Sequence, residues 1–94
     1  MEELLKKLKQ ELNINSSYSN YLIVNICKIL REDYDVNIYG KMKVKENGDL
    51  SYVGVIESFQ FKNDEYCITE TETDVHDTYE EAVVDAINRV VGDE

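Results

Sequence analysis

The segment from Val36 to Ile56 constrains this chain more than any other. Val36, Ile38, Gly40, Met42 and Val44 alternate with Asn37, Tyr39, Lys41, Lys43 and Lys45. Strict period two marks a strand with one buried face. Glu46, Asn47 and Gly48 follow as a hairpin-turn signal, and a second strand runs from Leu50 to about Phe61. A two-residue loop at Asn47 and Gly48 would set Val44 opposite Ser51 and Ile38 opposite Glu57. A three-residue loop, with Gly48 in a left-handed bulge, sets Val44 opposite Leu50, Met42 opposite Tyr52, Gly40 opposite Gly54 and Ile38 opposite Ile56. Only the second register gathers one apolar set on one face, because a one-residue slip turns every side chain over. Gly40 facing Gly54 then leaves a gap through which a helix can approach the sheet.

Helical periodicity frames this hairpin. Leu4, Leu5, Leu8 and Leu12 fall on one face of a helix from Glu2 to Leu12, with Glu2 and Glu3 four residues before Lys6 and Lys7. Asn13, Asn15, Ser16 and Ser17 break that pattern. A second helix is expected from about Tyr18 to Asp33. It is apolar over more than one face (Tyr21, Leu22, Ile23, Val24, Ile26, Cys27, Ile29, Leu30), so it is expected to be buried on several sides or to form a homodimer contact. After the hairpin, a polar turn from Lys62 to Glu65 leads to a third strand from Tyr66 to about Asp74. Thr78, Tyr79, Glu80 and Glu81 read as a capping box opening a last helix. Its buried stripe is Tyr79, Val83, Ala86, Ile87 and Val90, with Asp85 and Arg89 paired outside and Gly92 as its stop. The expectation is an α+β fold in the order α-α-β-β-β-α, a three-stranded antiparallel meander packed against helices. With 94 residues it makes one domain, residues 1–15 forming the N-terminal helix and connection and 16–94 the core.

Charge is divided unevenly. Residues 1–56 hold eight acids and eight bases, whereas residues 57–94 hold twelve acids and two bases, Lys62 and Arg89, so the whole excess of −10 lies in the C-terminal part. Phosphates need Lys and Arg, so this distribution argues against nucleic acid as a direct ligand and favours a basic partner. No stretch has the roughly 20 mostly apolar residues of a membrane span. The first residues mix acids and lysines with leucines and form no apolar signal core, which points to the cytoplasm. In that reducing compartment Cys27 and Cys67 are expected to be small buried hydrophobes.

Catalytic patterns are missing. Four scattered glycines form no phosphate loop, and no Ser or Cys sits in a nucleophile elbow. A Cys67–His76 dyad has no support beyond the presence of both residues. Glu72, Asp74, His76 and Asp77 have the spacing of no zinc or calcium loop and read as a solvated segment whose acids favour the next helix start. The chain is therefore expected to be no enzyme and to need no cofactor or metal.

The segment Ile68 to Asp77 carries the functional expectation. In a strand, Glu70, Glu72 and Asp74 share one face and Thr69, Thr71 and Thr73 the other. Carboxylates two residues apart are spaced by roughly 7 Å, like successive phosphates of a nucleic-acid strand. Glu57, Asp64 and Glu65 extend this row across the sheet or turn, and the segment ends on Asp77. The row is either a solvated edge strand kept from aggregation by its charge or a mimic of nucleic acid, since Lys and Arg that would meet phosphates would also meet these carboxylates.

The run from Asp77 to Ile87 after a three-stranded meander resembles the ending of many small acidic phage and prophage proteins. The arrangement is similar to type II anti-CRISPR proteins, which are short, acidic and built of helices around a carboxylate-bearing sheet. The resemblance implies an inhibitor that occupies the nucleic-acid groove of an RNA-guided nuclease by mimicking phosphates; it carries over no residue, and the expected contacts Glu57, Asp64, Glu65, Glu70, Glu72, Asp74 and Asp77 rest on the acidic row alone. The N-terminal helix departs from the simplest version of that pattern. The alternatives are an immunity or antitoxin protein neutralising a basic toxin, and a homodimeric phage accessory protein joined through its second helix.

Overall fold

Alternation and turn chemistry act as expected in the first hairpin. In the computed structural model, which describes residues 3–14 and 20–92, β1 (Val36–Val44) pairs antiparallel with β2 (Leu50–Lys62). The register sets Val44 against Leu50, Met42 against Tyr52, Gly40 against Gly54 and Ile38 against Ile56. Gly48 has φ 88°, the left-handed conformation of the three-residue loop, and its N–H donates to the Lys45 carbonyl at 2.9 Å. The β2–β3 hairpin turns more tightly. Asn63 (φ 52°) and Asp64 (φ 63°) form a two-residue left-handed turn, so Lys62 pairs with Glu65 and β3 (Glu65–Glu72) begins one residue before Tyr66.

The helices are α1 (Glu3–Ile14), α2 (Asn20–Tyr34) and α3 (Tyr79–Val90), giving the α+β order α-α-β-β-β-α. The sheet order is β1-β2-β3. The Glu2 start, the break at Asn15, Ser16 and Ser17, and the Tyr18 start fall outside the described residues. Helix α1 runs on through Asn13, whose side-chain amide bonds Asn88 of α3 at 3.0 Å. Helix α2 ends at Asp35 in the left-handed conformation (φ 56°), a place glycine usually takes and Asp tolerates. The Asp35 carbonyl accepts from the Phe59 N–H at 3.0 Å and ties this corner to the central strand. Thr78 caps α3 by accepting from the Glu81 N–H at 3.2 Å.

Helix α3 lies where the two glycines make room. A methyl group on Gly54 would overlap the Ala82 carbonyl oxygen and sit 2.8 Å from the Ala86 methyl, and one on Gly40 would overlap the Tyr79 ring. Ala82, Val83, Val84, Ala86 and Ile87 are buried there. Tyr79 stays half exposed, covering Gly40 and meeting Tyr52 edge to face at 6.4 Å. The core joins α3 to Ile38, to Leu22, Ile26 and Leu30 of α2, and to Leu5 and Leu12 of α1.

Expectations about burial in α2, α1 and the first hairpin need correction. Helix α2 is not enclosed: only the stripe Leu22, Ile26 and Leu30 is buried, while Tyr21 and Val24 are exposed. It packs against β1, α1 and α3, with Ile23, Cys27 and Ile29 half-buried beside that stripe, so it is covered on several sides but keeps one face in water. In α1, Leu4 is exposed and Lys9 is buried. Lys9 stands four residues after Leu5 on the inward stripe, where an aliphatic lysine stem fits an apolar surface. On the helix-facing side of the sheet, Met42, Val44 and Leu50 are uncovered. The cause is length. The 12 residues of α3 span about 18 Å and the 13 of β2 about 43 Å, so the sheet overhangs its helix layer at both ends. The long axis of the molecule, 45 Å, reflects this.

Candidate partner-binding surface

The face of the sheet turned away from the helices is set by the two registers. Asn37, Tyr39, Lys41 and Lys43 of β1 lie beside Glu57, Val55, Val53 and Ser51 of β2, and Val55, Glu57, Phe59 and Phe61 lie beside Glu72, Glu70, Ile68 and Tyr66 of β3. Val53 and Val55 are fully buried here yet stand apart from the main core. Side chains of the outer strands close over them. Glu72 of β3 reaches back across β2 to Lys43 at 2.8 Å and Lys41 at 3.7 Å. The hydrogen bond from Lys43 and the charge of both lysines, against some loss of water, hold the Glu72 carboxyl below its ordinary range. Glu72 is thus neutralised from within the molecule.

Asp74 leaves the row altogether. The Thr73 N–H bonds the Gly54 carbonyl at 2.8 Å, and His76 exchanges both backbone bonds with Tyr52. Three steps on one side match two on the other, which is a β-bulge. The regular strand therefore ends at Glu72, before the expected Asp74. The bulge delivers Asp74 to Arg89 of α3 at 3.1 Å. The same arginine bonds Asp85 at 3.0 Å, and Asp85 takes a 2.6 Å contact from His76 Nε2. Burial opposes ionisation of Asp85, but the bonds from His76 and Arg89 outweigh it and lower its pKa. The Glu81 carboxylate stands 3.8 Å from His76 Nδ1. His76 is therefore a half-buried partner of α3 rather than part of a solvated loop.

Glu57 and Glu70 remain as the charged centre of the face. They sit directly opposite each other, a like-charge pairing that sheets usually avoid. Glu57 accepts from the Asn37 amide at 3.0 Å. Among the described residues no cation pairs with either carboxylate. Shielding from water, then the charges of Glu57, Glu70 and Glu72, push the Tyr39 phenol above its ordinary pKa. Asp64 and Glu65 lie at the hairpin tip. Glu65 and Glu70 are five residues apart, about 17 Å along the strand. Asp77, in the bend before α3, is at the opposite end of the molecule and exposed. The seven expected contacts thus fall into separate groups, with Glu57 and Glu70 adjacent.

Beside them is an apolar patch that the charge pattern conceals. Phe61, Tyr66 and Ile68 are 62%, 77% and 61% exposed, and the first two rings meet at 5.2 Å. Had Asn63 and Asp64 been read as a two-residue turn, the pairing of Phe61 with Tyr66 and Phe59 with Ile68 would have been visible in the sequence. Cys67, expected to be buried, is exposed on this strand, and Cys27 is half buried. Cys67 pairs with Gln60 and His76 with Tyr52, eight positions apart on β2, roughly 26 Å, too far for a dyad.

A concavity of about 370 Å³ lies between α2, β1 and the start of α3, lined by Ile23, Val24, Cys27 and Ile38 together with Lys28 and Arg31. Burial pushes the Cys27 thiol up in pKa, with Arg31 acting the other way. No cluster of His, Cys, Asp and Glu suited to a metal ion occurs among the described residues. No helix among them is long and apolar enough to cross a membrane. No protein-family model matches the chain, and neither a curated protein nor a solved structure matches it.

Proposed function

We propose that this chain is a cytoplasmic binding protein that inhibits a basic, nucleic-acid-handling protein by placing carboxylates where phosphates would sit. An RNA-guided nuclease is the most concrete target, in keeping with the anti-CRISPR resemblance. The observation that carries the reading is the unpaired juxtaposition of Glu57 and Glu70 on the open sheet face. A like-charge pair without a cation costs stability in the free protein and is relieved by a basic partner. Glu72 and Asp74 have cations of their own, so they contribute less to the contact than Glu57 and Glu70.

The test is capture from a host lysate with wild type and with Glu57→Lys/Glu70→Lys, at low and high salt, with and without added nucleic acid. A nucleic-acid-binding protein held by wild type alone, released by salt and displaced by nucleic acid, supports the reading. Capture that ignores both the substitutions and the competitor refutes it. Exposed Tyr21 and Val24 on α2 favour a second reading, a homodimer through that helix. Sedimentation of wild type beside Tyr21→Glu/Val24→Glu decides it.

A further inference from the structure

We infer that β3 is a docking edge, and that a basic, extended segment of a partner protein adds to it as a fourth strand. The inference rests on the protein-binding reading above and supplies its mode of contact. Among the described residues, strand β3 borders β2 on one side only, no helix packs substantially against it, and all eight of its residues are exposed. The Thr73 N–H points to β2, where it bonds the Gly54 carbonyl. Alternation along an antiparallel pair then turns the N–H and C=O of Tyr66, Ile68 and Glu70 outward, along the free edge. The same residues carry their side chains on the open face, beside Phe61, Phe59 and Glu57. Backbone donors and acceptors, two apolar positions and one acidic position thus recur together at every second residue, the pattern by which sheet edges take up peptides.

Charge selects the occupant. Strand β3 holds Glu65, Glu70 and Glu72 and no base. A second copy of the same edge would bring like charges together, and a nucleic-acid strand would meet the same repulsion. A segment with alternate apolar residues set against Tyr66 and Ile68, followed by Lys or Arg set against Glu70, meets complementary chemistry at each position.

The experiment uses the full chain, labelled with ¹⁵N, and a short synthetic peptide with isoleucine at two alternate positions and lysine at the next two, separated by threonine. One control peptide carries N-methyl groups on the amides that would face β3; another has glutamate for lysine. Addition slows amide exchange at Tyr66, Ile68 and Glu70 by about tenfold or more at saturation. The N-methylated and acidic peptides bind at least about tenfold more weakly. Equal binding of the N-methylated peptide, protection at other residues, or no binding of the first peptide overturns the proposal. If the peptide fails while capture by wild type still depends on Glu57 and Glu70, strand addition falls and phosphate mimicry stands. If the peptide adds to β3 while capture ignores Glu57 and Glu70, the reverse holds.

Discussion

Substituting Gly54 by alanine tests the seating of α3 on the sheet. The new methyl group would overlap the Ala82 carbonyl oxygen, which is backbone, and stand 2.8 Å from the Ala86 methyl. Neither neighbour can rotate away, so the helix must lift or slide. Overpacking of this kind costs about 1–3 kcal/mol, and the upper end applies where backbone is met. Gly54 lacks a positive φ, so alanine brings no strain of its own and recovers about 0.4–1 kcal/mol through the unfolded chain. The expected net loss is about 2 kcal/mol. For a chain of 94 residues that lowers Tm by roughly 8–16 °C. Thermal unfolding followed by circular dichroism, with urea titration as a check, gives the value. Gly40→Ala is the control, since its methyl meets the half-exposed Tyr79 ring, which can swing aside. It should cost about 1 kcal/mol or less, most of it recovered in Gly40→Ala/Tyr79→Ala. Gly54→Ala should not be rescued by Ala86→Gly, because the Ala82 carbonyl stays in place. A Gly54→Ala protein melting within about 2 °C of wild type would refute the close approach of α3.

Other expectations follow from the same contacts. Because Glu72 and Asp85 both have lowered pKa values in the fold, the stability they add is present above the ordinary carboxylate range and is lost as pH falls through their folded values. Urea midpoints measured from pH 6 down to pH 3 should therefore fall less in Glu72→Gln/Asp85→Asn than in wild type; parallel curves would contradict this. Ile26→Ala, at a fully buried site joining α2 to the core, should cost about 2–5 kcal/mol in urea unfolding, whereas Val24→Ala should stay within about 0.5 kcal/mol. A thiol reagent added to the native protein should label Cys67 at once and Cys27 only slowly, since burial keeps the Cys27 thiol protonated. Equal rates would show that Cys27 is open to solvent.

The first hairpin, the helix cap and the order of elements were legible because each is decided by neighbours in the chain. Alternation from Val36 to Val44 and the turn at Asn47 and Gly48 leave one register, and Thr78 meets the Glu81 N–H three residues on. The glycine gap was legible too, since that register alone sets Gly40 beside Gly54. The acidic row was legible as composition but not as a site. Whether a carboxylate is free depends on what lies across the strands, and the lysines that neutralise Glu72 come from β1, on the far side of β2. The bulge between Thr73 and His76 hands Asp74 to an arginine of α3, and no local pattern announces an extra residue in a strand. Coverage was likewise a tertiary outcome. A short helix on a long sheet leaves Met42 at one end and Cys67 at the other in water, although both read as buried apolar positions in the sequence. Local periodicity settles which way a side chain faces; only the packing of whole elements, with their unequal lengths and crossing charges, decides what that side chain meets.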